Sequence, residues 1–221
     1  MSGKRIDLLQ STFSKSAYVS EETLKRYDTL VCCESSTLYY FPEFISGCIS
    51  KGIRPLCGVK FELETPLGCL TEYLQICCYP KNREGCKNLQ MLCAYADFGK
   101  IRYDIFRMFS ENLLIGLDIV YGEVEMLIID NILQSVLMPD FVLIASTQNT
   151  FRSWQGCYEM LEAAGIPVCG CNFSMNRRVP DPDILKRFAF LGNKAQEYVI
   201  DNPRKIAERI TEDYKFAVQA V

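Results

Sequence analysis

Short apolar runs bounded by turn residues alternate along this chain with segments in which apolar residues recur every three to four positions. The first kind predicts buried strands and the second amphipathic helices, and their alternation predicts parallel strands joined by crossover helices. Strands are expected from Ile6 to Leu9, Leu30 to Cys33, Pro55 to Phe61, Leu70 to Tyr79, Leu113 to Leu117, Phe141 to Ala145 and Ile166 to Cys171, with the fourth able to form a hairpin with the third. Ser20-Glu21-Glu22-Thr23 supplies a cap and an acidic first turn for a helix through Tyr27. Pro42 suits the first turn of a helix running to Lys51, which Gly52 ends. Further helices are expected over Glu84 to Ala96, Arg102 to Ser110, Glu123 to Leu137, Phe151 to Ala164, Asp183 to Leu191 and Lys194 to Tyr214. Seven strands in this alternation fit a barrel or a doubly wound sheet, and periodicity does not choose between them. In a barrel the site lies at the carboxyl ends of the strands, which directs attention to Leu9-Gln10, Glu34-Ser35, Lys60, Asp97 and the stretch from Phe173 to Met175.

Composition narrows the chemistry. The 221 residues are 49% hydrophobic and 23% charged, enough for one substantial core, and no polar Pro/Gly/Ser-rich seam divides them. There is no histidine, which excludes Ser-His-Asp and Cys-His catalysis, His-ligated metals and an imidazole switch near neutral pH. A net charge of −3 gives no footprint for a nucleic-acid backbone, so direct nucleic-acid binding is not expected. The opening Met1-Ser2-Gly3-Lys4-Arg5-Ile6-Asp7 has no apolar signal core, and no stretch approaches the roughly 18 apolar residues of a membrane span. A cytoplasmic location without membrane partners is the expectation, and the 12 cysteines, many of them in apolar strand-like runs, then read as buried free thiols. Asp181-Pro182-Asp183 is explained as the capped start of the Ile184 helix.

Three stretches resemble one family. Ile6-Asp7-Leu8-Leu9-Gln10-Ser11-Thr12-Phe13-Ser14 resembles the D-L-H-x-H-S-x-F-S opening of polymerase-and-histidinol-phosphatase (PHP) domains, one residue shorter and without its histidines. Leu30 through Glu62 resembles the family's strand, D-H-G turn, helix and G-I-K-P strand, with Gly52-Ile53-Arg54-Pro55 in the last place. Ala164 through Met175 resembles its G-I-P-V-V-A-T-N-D-V-H segment. Gly85-Cys86-Lys87-Asn88-Leu89 resembles the G-Y-K-N-L of the PHP domain in bacterial DNA polymerase III alpha subunits, and the end from Leu185 to Ala207 resembles the segment linking that domain to the polymerase body. The resemblance implies an α/β fold, a distorted seven-stranded (β/α) TIM-like barrel over residues 1–180, with a C-terminal helical extension over 181–221 packed on it.

An active PHP site gathers two or three divalent metals on His, Asp, Glu and sometimes Cys to activate water for phosphoester hydrolysis. Carried over by position, the first histidines become the Leu9-Gln10 region beside Asp7, the D-H of the turn becomes Glu34 and Ser35, and the glutamate after the G-I-K-P strand becomes Lys60. A later histidine falls at Asp97, a glutamate or cysteine at Ile119 or Val120, and the closing aspartate and histidine at Phe173 and Met175, after Asn172. The resemblance therefore implies a vestigial site of Asp7, Gln10, Glu34, Ser35, Lys60, Asp97, Asn172, Phe173 and Met175, with no catalytic residues and no cofactor. Lys60 is expected to pair with Glu34, extending to Asp97, or else to snorkel to solvent at the barrel rim. The function implied is an inactive structural or protein-binding module whose partners are replication proteins or polymerase subunits. The alternatives are a divergent phosphoesterase using Mn²⁺ or Mg²⁺ on Asp7, Glu34, Asp97 and Cys171, and an excised portion of a replicative polymerase.

Overall fold

The computed structural model describes residues 5–7, 27–35, 38–39, 41–66, 72–118, 139–144, 159, 161–170 and 184–211. The seven expected strand segments all lie in one sheet. They are β1 (Arg5–Asp7), β2 (Tyr27–Ser35), β3 (Arg54–Glu64), β4 (Tyr73–Pro80), β6 (Leu113–Asp118), β7 (Phe141–Ile144) and β8 (Val168–Gly170), hydrogen-bonded in that order. β5 (Lys100–Ile101) is an eighth, short strand that pairs with the far end of β3. β4 runs antiparallel to both β3 and β6, so β3 and β4 form the expected hairpin, and every other pair is parallel.

Helices α1 (Phe41–Ile49), α2 (Arg83–Tyr95) and α3 (Tyr103–Phe109) occupy their expected places. α1 ends because Gly52 takes φ +68°, which lets Gly52 and Ile53 donate back to Ile49 and Cys48. α2 starts where the Asn82 side chain accepts from Gly85 N at 3.0 Å. Later come α4 (Ile184–Arg187), a 3₁₀ turn (Ala189–Leu191), α5 (Lys194–Gln196), a π turn (Glu197–Asp201) and α6 (Asn202–Glu208). Pro203 has no N–H and its ring crowds the preceding turn, and the wider π turn immediately before α6 accommodates it.

Two expectations are corrected. Tyr27 opens β2 rather than closing a helix, because Tyr27 falls into register with Arg5. The helical pattern expected from Lys194 to Tyr214, with Asn202-Pro203 between two of its turns, is divided instead by the π turn before Asn202, and α6 ends at Glu208. The helix from Ser20, the helix from Glu123 to Leu137 and most of that from Phe151 lie outside the described residues, of which 161–163 are helical.

Side chains at alternate positions of β3 enter two environments. Pro55, Cys57, Val59, Phe61 and Leu63 are fully buried on one face, whereas Lys60, Glu62 and Glu64 on the other become progressively wetter. The sheet is curled into a half-barrel, and α6 contacts both of its edge strands, β1 and β8. Among the described residues no pairing joins β1 to β8, and the architecture they show is mixed α/β with the sheet curled into a half-barrel. No helix of the described residues is long and apolar enough to cross a membrane.

Candidate functional site

Register builds the site. Lys60 lies beside Ser35 of β2 and Cys77 of β4, and Cys77 in turn lies beside Gly116 of β6. Cross-strand partners share a face, so the Lys60 side chain emerges on the face shared by Cys33, Gly58, Cys77, Tyr79, Gly116 and, two residues on, Asp118. There the ammonium forms an ion pair and hydrogen bond with Asp118 Oδ2. The Lys60 side chain is 13% exposed and that of Asp118 is 1% exposed.

Aromatic rings fill the face below this pair. Tyr79 lies against Gly58, and Phe141 lies against Gly116, where a Cβ would come within 2.5 Å of the ring. The two rings stand 6.1 Å apart and are 2% and 0% exposed. Above, Gln75 Nε2 donates to Glu62 Oε1 at 3.1 Å, one register step from the pair. The site is therefore a charged pair set between a packed aromatic floor and a polar rim.

Its electrostatics are those of a charge compensated locally. Burial disfavours the Lys60 ammonium, but the Cys77 sulfur and the Asp118 carboxylate favour it more strongly, the latter by charge and hydrogen bond, so its pKa lies above the ordinary lysine value. Cys77 is itself pushed well up, first by its hydrogen bond with Cys33 and then by burial, and Tyr79 is pushed up by burial and by Cys33. Cys77 is thus a neutral thiol at physiological pH, and Asp118 supplies the negative charge that holds Lys60 there. A divalent cation does not fit this set. Its only described carboxylate at the pair is occupied by an ammonium, which would repel the ion. Among the described residues no group of three or more Cys, Asp or Glu side chains comes together in a way that could hold a metal.

The expected site residues are placed unevenly. Lys60 is in the cluster, but its described partner is Asp118, and its ion pair inside the sheet replaces the snorkelling alternative. Glu34 and Ser35 are placed through the backbone, Glu34 beside Val59 and Ser35 beside Lys60, and Asp7 lies beside Leu30. Asp97 is exposed in a tight turn, where its backbone exchanges hydrogen bonds of 2.9 Å with Lys100. Gln10, Asn172, Phe173 and Met175 lie outside the described residues, as do Ile119 and Val120. Asp118 was missed by sequence reasoning, although it is the one charge in the run from Leu113 to Asp118 and ends its strand.

Half of the chain has distant sequence similarity to a replicative polymerase subunit. DNA polymerase III subunit alpha of Staphylococcus aureus is 26% identical in strains Mu50 and N315 over 112 residues, 49% of this chain and 10% of that protein. The same subunit of strain COL is 25% identical over the same length. The chain thus spans about a tenth of the length of these curated relatives. No protein-family model matches it.

Proposed function

We propose that this chain is a PHP-type domain of replicative-polymerase descent that has given up metal-dependent hydrolysis and serves as a structural or protein-binding module in DNA replication. The observation that carries the reading is the Lys60–Asp118 pair. A tethered ammonium sits against a carboxylate at the position that the family resemblance assigns to a metal-binding glutamate. An ion pair of this kind neutralises the buried carboxylate without a metal, and the Tyr79 and Phe141 rings pack the sheet beneath it. The distant similarity to DNA polymerase III subunit alpha supports a replication-related origin. On this reading residues 1–180 form the barrel-derived domain, residues 181–221 the helical extension, and the partners are cytoplasmic replication proteins or polymerase subunits. No cofactor is required.

The test is elemental analysis of protein purified without chelator, together with phosphomonoester and phosphodiester hydrolysis assays in Mn²⁺, Mg²⁺ or Zn²⁺. The expected result is no stoichiometric metal and no turnover above the metal-only blank. Bound metal with turnover, both lost in Asp118→Asn, would establish a divergent phosphoesterase instead.

A further inference from the structure

Every interior strand of the sheet has a neighbour on each side, but among the described residues the edge strands β1 and β8 are not joined by strand pairing. The segment from Asn202 to Thr211 lies at that seam, with α6 in contact with both edge strands. Five of its described contacts reach one end of the sheet. Asn202, buried, donates from Nδ2 to Val168 O at 3.0 Å, where β8 begins. Arg209 pairs with Asp140, just before β7, and the other oxygen of Asp140 accepts from Ile115 N of β6 at 2.8 Å. Arg54, the first residue of β3, donates to Ile210 O. Thr211 donates to Lys81 O, just beyond β4, through its backbone N at 2.7 Å and its Oγ1 at 2.9 Å.

This one short segment therefore ties β3, β4, β6, β7 and β8 while spanning the edge that strand pairing leaves open. We propose that residues 202–211 act as a clasp on the β1–β8 seam, and that the curled sheet opens there, ahead of global unfolding, when the clasp is released. The ladder bonds elsewhere lock neighbouring strands cooperatively, whereas the contacts described at the seam are those of side chains and loops. Such contacts open at lower free energy than core strands. Pro203 and the π turn fix the entry of the segment, with Val199 and Phe188 packed over Gly170 of β8.

The proposal is tested by native-state hydrogen exchange on the full chain, comparing wild type with an Arg209→Gln/Thr211→Val double variant and with Asn202→Ala. Leu92→Ala, in α2 and away from the seam, serves as a control of general destabilisation. The expected result is about tenfold or greater acceleration at Arg5–Asp7 and Val168–Gly170, with Phe61–Leu63 and Ile76–Cys78 unchanged. Acceleration confined to residues 202–211, or spread as evenly as in Leu92→Ala, would overturn the clasp. If Asn202→Ala does not fold, the double variant decides on the same criteria.

Discussion

The residues that characterise this molecule are buried groups held in one protonation state. Burial pushes the Cys48 and Cys93 thiols from an ordinary 9.0 up to about 12, and Cys77, Cys78 and Tyr79 are also raised well above their ordinary values. A raised thiol or phenol pKa means that the unfolded chain loses the proton first. Its stabilising contribution is complete below the unfolded value, 9.0 for the thiols and 10.0 for the phenol, and is lost as pH climbs toward the folded one. Lys60 has the same sign, with its contribution complete below its ordinary 10.5. The urea midpoint should therefore be flat near neutrality with respect to these groups and fall steadily above about pH 9. A midpoint that held level through strongly alkaline solution would contradict this assignment. Lys60 was legible in the sequence as a position at the carboxyl end of a strand, and the cysteines as small buried hydrophobes. Its described partner was not legible. The acid was expected at Glu34, extending to Asp97, whereas Asp118 stands two strands away on β6 and meets Lys60 only once the sheet has formed.

At the scale of elements, strand glycines let aromatic rings lie flat against the sheet. Gly58→Ala would drive a methyl group into the Tyr79 ring, and Gly116→Ala would do the same to Phe141. Each should cost about 1–3 kcal/mol by overpacking. For Gly58→Ala, part of the loss should return on adding Tyr79→Leu, read as the shift in urea midpoint; full additivity of the two changes would count against ring contact as the cause. Asn82→Ala should cost about 1 kcal/mol by removing the cap of α2, with hydrogen exchange rising first at its N-terminal turn. Strand and helix placement was largely legible, because apolar runs and caps are local signals. Tyr27 was misread because the acidic cap upstream suggested a helix, whereas pairing with β1 makes that residue a strand. β5 was missed for a similar reason: two residues carry no periodicity, and only their pairing with β3 makes them a strand.

At the scale of the whole molecule, strand order follows chain order apart from β5, so the run of consecutive elements foreshadowed the topology. Closure was expected from the resemblance, and pairing among the described residues stops short of it, since closure depends on how far the first and last strands approach after the curl has accumulated across the sheet. That distance is a property of the complete assembly, and no single segment encodes it. The same long range explains why Lys60 of β3 and Asp118 of β6 meet across β4. The account rests on this pair as the internal compensation of a buried carboxylate, and a double-mutant cycle in urea tests it most directly. Lys60→Met takes the ammonium away from the buried Asp118 carboxylate and should cost about 3–5 kcal/mol, whereas Lys60→Met/Asp118→Leu removes both charges and should return close to wild-type stability. If Lys60→Met alone is nearly neutral, or the double variant loses the sum of the two single losses, the pair does not hold the site and the central claim is wrong.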